Sequence, residues 1–148
     1  MTAFSHFKIN LPRPGILPIR LPLFGHKVPA GFPSPADDYM EGLISLDEEL
    51  IPHKTATFFV RARGNSMTGA GIYDGDLLVV DKSLEPLSGD IVIASVDGDI
   101  TVKRFIQEGS IIKLRPENSA HKEIVFQEGQ ELQIWGVVLS STTKHKFI

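Results

Sequence analysis

Prolines are crowded at the start of this 148-residue chain and limit what its N-terminal segment can form. Seven of the ten prolines precede residue 36: Pro12, Pro14, Pro18, Pro22, Pro29, Pro33 and Pro35. Each lacks a donor N–H and disfavours helical geometry at the residue before it. The segment therefore excludes a long helix or a central strand, and we interpret it as an extended arm. On composition alone, a disordered tail without a role is the more common alternative.

Charge separates this arm from the rest of the chain. The first 30 residues carry four basic side chains and no acidic one, which leaves 11 basic and 18 acidic residues, a net charge of −7, for the remainder. An acidic body argues against strong phosphate contacts, so we expect no direct DNA binding. The basic arm has two candidate contact surfaces, its own acidic body or a partner.

Cellular location is constrained by what the composition lacks. The chain has no cysteine, which excludes disulfides, thiolate-bound zinc and cysteine catalysis, and fits a reducing compartment. Prolines interrupt any signal-peptide core, and no apolar run approaches the roughly 20 residues that span a bilayer. The acid-free start resembles an organelle transit peptide, but the prolines would break its amphipathic helix. We expect a cytoplasmic protein without membrane contact.

One short helix is predicted after the arm. Ser34 suits an N-cap, Pro35 suits the first helical position, and an apolar stripe follows at Tyr39, Met40 and Leu43. A further helical turn is predicted over Asp47–Leu50.

The remainder of the sequence predicts strands. Asp97-Gly98-Asp99 is a hairpin signal between two β-rich runs. Several short strands with closely spaced turns indicate a mostly β fold, a barrel or folded sheet and not an α/β sandwich. The predicted strands are Thr57–Arg63, Leu77–Val80, Ile91–Val96, Ile100–Ile106, Ile111–Leu114, Ile124–Phe126 and Leu132–Leu139.

Two residues are candidates for catalysis. Ser66 follows a strand in Gly64-Asn65-Ser66-Met67, where Gly64 permits a sharp turn that leaves backbone N–H groups free for an oxyanion. Lys103 alternates with Thr101 and Phe105 on one face of a strand, where partial burial would lower its pKa. A neutral lysine can activate a serine hydroxyl. Taken singly, each residue also fits a non-catalytic role: Ser66 as a serine in a turn, and Lys103 as a surface lysine whose charged end reaches solvent.

Other polar residues give weaker signals. The five histidines are scattered and show neither metal-ligand nor triad spacing. Asp74 and Asp76 resemble a metal-binding pair, but Gly75 between them favours a turn, and we predict no metal and no cofactor.

The joint pattern resembles LexA/UmuD-type Ser–Lys autoproteases over roughly residues 24–140. Gly64–Met67 and Gly71–Asp81 resemble the serine signature of that family, and Asp90–Ala94 with Thr101–Arg104 resemble its lysine region. The 37-residue spacing between the serine and the lysine agrees with the family. Upstream, Ala30–Ala36 resembles the cleavage region, and downstream Trp135–Val138 resembles the closing strand.

The resemblance implies a specific enzyme. It makes Ser66 the nucleophile, Lys103 the general base, and the backbone of Ser66, with Met67 as a further candidate, the oxyanion site. The Ala30–Gly31 bond would be the substrate, so self-cleavage would remove an arm of residues 1–30 from a LexA-like β-rich peptidase domain of residues 31–148. The implied partners are a second copy in a homodimer, the RecA–single-stranded DNA filament that stimulates cleavage, and a UmuC-type translesion polymerase joined by the trimmed form during the DNA-damage response.

Three alternatives frame this expectation. LexA-like repressors carry a helix-turn-helix domain before the cleavage site, and the 30 proline-rich residues before Gly31 do not fit one, which favours the UmuD branch. A non-enzymatic β-rich domain would retain the serine and lysine as a relic. A signal-peptidase-like enzyme would need a membrane anchor, which the sequence does not show.

Overall fold

The structure is a computed structural model that describes residues 18–25, 40–127 and 129–148. These residues belong to two compact units that divide between Glu49 and Leu50. The predicted boundary and cleavage site at Ala30–Gly31 lie outside the described residues, as does the predicted N-cap Ser34. Within the described ranges, no helix has the length and apolar character needed to cross a bilayer.

The first unit contains a pair of antiparallel strands and the start of a short helix. Strand β1 spans Leu21–Phe24, β2 spans Met40–Ile44, and helix α1 follows at Leu46–Leu50. The predicted helical turn at Asp47–Leu50 is confirmed by α1. The predicted helix of the Ser34–Leu43 region is wrong at its C-terminal end, because β2 pairs its backbone with β1 there and obtains hydrogen bonds that an isolated short helix cannot match.

The second unit is built on one seven-stranded antiparallel sheet in the order β3-β4-β9-β5-β6-β7-β8. All seven predicted strands are confirmed, with ends shifted by at most three residues. The predicted mostly β fold is therefore confirmed. The strands are β3 Thr57–Arg61, β4 Leu77–Asp81, β5 Ile91–Val96, β6 Asp99–Glu108, β7 Ile111–Arg115, β8 Ile124–Val125 and β9 Leu132–Thr142.

Apolar side chains from the central strands form the core of this unit. A cluster of buried residues joins β5, β6, β7 and β9. The predicted hairpin between β5 and β6 turns at Asp97 and Gly98, whose φ angles of 48° and 92° suit the tight turn that an Asp-Gly pair favours. Burial of this apolar surface is the main stabilising contribution to the sheet. The buried cluster comprises Val92, Ala94, Phe105, Leu114 and Val137.

The sheet positions the two candidate residues from separate strands. Ser66 follows β3, while Lys103 lies within β6 and pairs with Val92 of β5. Three strands separate β3 from β6 in the sheet order. The register of β9 shifts once against β4 and once against β5, and such irregularities bend a strand and increase its twist. A bent sheet allows the segment after β3 to reach β6.

Candidate active site

The turn that carries Ser66, residues 64–70 (the Ser66 turn), is held by backbone geometry. Gly64 has a φ of 83°, which favours glycine, and its N–H donates to Asp74 Oδ1 at 2.7 Å. Met67 is buried, and its carbonyl accepts hydrogen bonds from the N–H groups of Ala70 and Ile72. The Met67 side chain thus anchors the turn in the interior while Ser66 stays half-buried beside it.

Asp74 and Asp76 serve the backbone next to this turn. Asp76 is buried, its N–H donates to the Tyr73 carbonyl at 3.0 Å, and its carboxylate accepts the Tyr73 N–H at 2.8 Å. The predicted turn at Asp74-Gly75-Asp76 is confirmed. Across the described part of the chain, no three acidic, histidine or cysteine side chains are grouped so that they could hold a metal ion.

Lys103 brings its amine to the serine. Its Nζ lies 3.1 Å from Ser66 Oγ, 2.6 Å from Thr101 Oγ1 and 3.1 Å from the Val102 carbonyl oxygen. Burial lowers the pKa of Lys103 from its usual 10.5, because the charged ammonium loses solvation in the half-buried position. None of the described carboxylates forms an ion pair with Lys103 that would counter this effect.

These three neighbours suit a neutral amine. A neutral lysine has two N–H donors and one lone pair, whereas an ammonium has three donors and no acceptor. With the amine neutral, Thr101 Oγ1 and the Val102 carbonyl can accept the two N–H groups, and the lone pair remains for the Ser66 hydroxyl proton. The site can therefore hold the serine and its base in the protonation states that nucleophilic attack requires.

Two backbone donors lie at the nucleophile. Neither the Ser66 N–H nor the Met67 N–H donates a hydrogen bond to another described residue. Backbone N–H groups in this position can stabilise an oxyanion once an acyl group occupies the site.

One edge of β6 is unpaired beside the nucleophile. Strand β6 pairs with β5 from Asp99 to Arg104 but with β7 only from Arg104 onward. Within the described sheet, the segment 99–103 is thus a free edge beside the serine.

The structure brings together Ser66 and Lys103, the two candidates for catalysis, at hydrogen-bond distance. Ala30 and Gly31 lie outside the described residues. Thr101 was visible in the sequence as a neighbour of Lys103 on one strand face, without an assigned role. Sequence reasoning missed Glu117 and Asn118, which form hydrogen bonds with the Ser66 turn. Asn118 is a turn-forming residue, which is a weak signal, and the backbone contacts of Glu117 leave none.

The described histidines stay apart from the pair of Ser66 and Lys103. His53 Nδ1 lies 2.6 Å from Asp81 Oδ2, and His121 Nε2 lies 2.7 Å from Asn65 Oδ1. His145 is exposed near the C-terminus, and His6 and His26 are outside the described residues. Neither His53 nor His121 replaces Lys103 as a base for Ser66.

Several known proteins are similar to this chain in sequence. SamA of Salmonella typhimurium is 51% identical over 117 residues, which cover 79% of this chain and 81% of SamA. ImpA of Escherichia coli is 54% identical over 85 residues, which cover 57% of this chain and 59% of ImpA. The LexA repressor of Acidovorax sp. is 38% identical over 132 residues, which cover 89% of this chain and 58% of the repressor.

The matched region thus spans less than two thirds of ImpA and of the LexA repressor. The peptidase S24-like family matches residues 22–139, a range that includes Ser66, Lys103 and all strands of the second unit up to most of β9. The chain therefore belongs to the peptidase S24-like family, the family of LexA/UmuD-type proteins.

Proposed function

We propose that this protein is a self-cleaving serine endopeptidase that cuts its own Ala30–Gly31 bond. The observation that carries the proposal is the 3.1 Å contact between Ser66 Oγ and an Nζ whose pKa is lowered by burial. The assignment of the substrate bond comes from the sequence around Ala30, which resembles a family cleavage region. Both residues at the bond are small and allow a close approach of the backbone.

The proposed reaction uses the contact between Ser66 and Lys103. Neutral Lys103 accepts the Ser66 hydroxyl proton while Oγ attacks the Ala30 carbonyl carbon. The N–H groups of Ser66 and Met67 stabilise the oxyanion, and removal of one such donor typically costs roughly 10²–10³ in rate. The C–N bond breaks as the Lys103 ammonium returns its proton to the Gly31 nitrogen. Water then attacks the acyl carbon while the same amine takes its proton, and the ester C–O bond breaks as that proton passes to Ser66 Oγ.

The free edge of β6 gives the substrate a place to bind. An extended peptide can add to an unpaired strand edge through main-chain hydrogen bonds. Segment 99–103 carries both Lys103 and Thr101, so a peptide added there would pass next to the nucleophile. The proline-rich composition before residue 36 favours extended backbone, which suits this mode of binding.

The wider role in this proposal is the DNA-damage response. The RecA–single-stranded DNA filament stimulates cleavage, and the trimmed protein, as a homodimer, joins a UmuC-type translesion polymerase. Cleavage removes a segment with four basic and no acidic residues, which leaves a body with a net charge of −7. That change in surface charge alters which partners the protein attracts.

The test is cleavage of the purified full chain, followed by mass spectrometry with and without RecA filaments. The wild type should yield a fragment that starts at Gly31. Ser66→Ala lacks the nucleophile and Lys103→Ala lacks the general base, so each should cleave at least about 10²-fold more slowly. Ser83→Ala is the matched control, since Ser83 also lies beside a basic side chain but outside this site.

The rate should also depend on pH. Because the neutral amine is the reactive form, cleavage should accelerate from neutral pH into the alkaline range and level off above the lowered pKa of Lys103. A Gly31 fragment from the Ser66→Ala protein would remove Ser66 as the nucleophile, and a flat pH profile would remove Lys103 as the base. Absence of cleavage in the wild type under every condition would favour the non-enzymatic partner-binding domain.

A further inference from the structure

The loop after β7, residues 116–121 (the 116–121 loop), grips the Ser66 turn through several hydrogen bonds. The Glu117 N–H donates to the Ser66 carbonyl at 2.8 Å, and the Glu117 carbonyl accepts the Gly69 N–H at 2.7 Å. Asn118 Nδ2 donates to the Asn65 carbonyl at 2.8 Å. The loop thus contacts the turn on both sides of Met67, so that a shift of the loop would move the backbone of the nucleophile.

The approach of this loop is close enough to require a glycine. A Cβ atom on Gly69 would lie 2.5 Å from the Glu117 carbonyl oxygen. Real Cβ contacts are not that short, so the backbone of the Ser66 turn and that of Glu117 are packed directly against each other. Such packing transmits a displacement instead of absorbing it.

A side-chain contact then ties the same loop to the strand of the base. Arg104 directly follows Lys103 in β6, and its Nε donates to Glu117 Oε1 at 2.5 Å. Its Nη1 donates to the Gly89 carbonyl, also at 2.5 Å. Both side chains of the ion pair are 29% exposed, less than either member of the Arg115–Glu123 pair. Glu117 therefore contacts the serine through its backbone and the lysine strand through its side chain.

We propose that the Arg104–Glu117 ion pair positions the Ser66 turn against Lys103 and so fixes the distance between the two reacting side chains. The inference rests on the proposed function and adds positioning residues to it. Neither Arg104 nor Glu117 touches the reacting atoms. Their link matters because the Ser66 turn is irregular backbone, and a catalytic pair has to be held to within about 0.5 Å of its productive geometry.

Self-cleavage of the full chain across pH tests this link. Glu117→Ala and Arg104→Ala should each slow cleavage by about 10-fold, short of the roughly 10²-fold that a misplacement of ~1 Å can cost. The double variant should be no slower than the slower single variant, because both residues act through one link. The pH at which the rate levels off should stay unchanged, because burial of Lys103 sets its pKa.

Two variants separate positioning from a general loss of stability. Glu117→Gln should restore most of the rate, since its amide oxygen can accept the same Arg104 hydrogen bond. Glu123→Ala removes the comparable Arg115–Glu123 pair, whose Nε–Oε1 distance is 2.6 Å, on the neighbouring strand. It should change the rate by less than about twofold, as expected for an exposed ion pair that forms no hydrogen bond to the Ser66 turn.

Amide hydrogen exchange of residues 64–70 provides a readout that does not need cleavage. Exchange there should be faster in Glu117→Ala than in Glu123→Ala, with equal protection elsewhere in the second unit. Unchanged exchange, a cleavage rate equal to that of Glu123→Ala, or a shifted pH profile would overturn the positioning role. If the wild type never cleaves, the proposed function is wrong. Faster exchange in Glu117→Ala than in Glu123→Ala would in that case still support the contact between Glu117 and the Ser66 turn.

Discussion

Two serines of the second unit lie beside a basic side chain, and only one has the surroundings of a nucleophile. Ser66 Oγ lies 3.1 Å from Lys103 Nζ, and Ser83 Oγ lies 3.3 Å from His53 Nδ1. Proximity alone does not separate the two pairs. The difference lies in the third partner of each.

The third partner at Ser83 is a buried carboxylate. Asp81 accepts the Ser83 hydroxyl at 2.6 Å and the His53 Nδ1–H at 2.6 Å. Burial raises the pKa of Asp81, but the hydrogen bonds from Ser83 and His53 outweigh it and leave that pKa below its usual value of 3.8. The ionised carboxylate thus accepts hydrogen bonds from both groups, and the Ser83 hydroxyl proton points toward Asp81 instead of His53.

At Ser66 the further partners of the basic side chain are two neutral groups. Lys103 contacts the Thr101 hydroxyl and the Val102 carbonyl, and burial lowers its pKa without a described carboxylate to oppose the shift. A base must be able to lose its own proton before it can take one from serine. A carboxylate-free, desolvated setting thus distinguishes the proposed catalytic pair, Ser66 and Lys103, from the structural pair, Ser83 and His53.

Adding a carboxylate beside Ser66 and Lys103 should remove the difference between the two serine sites, and it gives the largest expected effect. Thr101→Asp would place a negative charge next to Lys103 Nζ, which now lies 2.6 Å from the Thr101 hydroxyl. A neighbouring opposite charge raises a lysine pKa by roughly 1–3 units, so cleavage near neutral pH should fall by roughly 10- to 10³-fold. The readout is the rate of self-cleavage as a function of pH.

The neutral amide is the matched control for that charge. Thr101→Asn keeps an oxygen acceptor of similar size, so its loss of rate should be smaller and its pH profile should stay in place. In Thr101→Asp the profile should move to higher pH, and alkaline conditions should recover part of the rate. Equal losses in the two variants, with no shift of the profile, would mean that charge at Lys103 is not what controls the reaction.

Removing the Asp81 carboxylate from Ser83 and His53 should reduce the stability of the fold and not the cleavage rate. Asp81→Asn replaces a buried carboxylate that accepts several hydrogen bonds with a buried amide that cannot accept all of them, and such a loss costs about 1–3 kcal/mol in the free energy of unfolding. Urea denaturation near neutral pH measures it. The folded variant should still cleave within about twofold of the wild-type rate, since Asp81 does not contact Lys103.

Acid should reduce the difference in the free energy of unfolding between the wild type and Asp81→Asn. Because the pKa of Asp81 is lower in the folded state, its ionisation stabilises the fold above pH 3.8, and this contribution is lost as the pH falls toward the lowered value. The gap between wild type and Asp81→Asn should therefore narrow in strong acid. Ser83→Ala, which removes one of the hydrogen bonds, should lose less stability than Asp81→Asn. A constant gap across the acid range would contradict the assigned role of the carboxylate.

The sheet of the second unit was predictable because its signals are local. Alternating side chains marked the strands, and the Asp97-Gly98 pair marked a turn that has the expected positive φ angles. The pairing of β1 with β2 was not predictable in this way. Leu21 pairs with Ile44, and no local pattern in either segment indicates that the two strands pair. The helix signals at Ser34 and Pro35 were local, and strand pairing overrode the helical pattern at Leu43.

The site divides along the same line. Ser66 and Lys103 were identified because their joint pattern resembles a family, although each is ordinary alone. Their contact depends on a sheet order that puts three strands between β3 and β6, which no local pattern specifies. The contribution of Glu117 to the Ser66 turn uses its backbone N–H and carbonyl. Every residue except proline has both groups, so no side-chain pattern could reveal this contact.

The smallest expected effect concerns what the reactive pair costs the fold. Burial lowers the pKa of Lys103 because its ammonium form loses solvation, so replacing the lysine with an apolar side chain should stabilise the protein. In an uncleavable Ser66→Ala background, Lys103→Met should raise the free energy of unfolding at neutral pH by on the order of 0.5 kcal/mol, a modest value because the half-buried amine is partly screened by solvent.

The sign of the pH dependence makes this prediction specific to burial. The folded state releases the Lys103 proton at a lower pH than the unfolded chain, so the Ser66→Ala protein gains stability as the pH rises from the lowered pKa toward 10.5. The advantage of Lys103→Met should therefore shrink with rising pH. Lys82→Met, at an exposed lysine next to Asp81, should show no such trend in the same urea titrations. If both substitutions respond alike, surface charge and not desolvation governs Lys103, and the contrast between the two serine sites loses its physical basis.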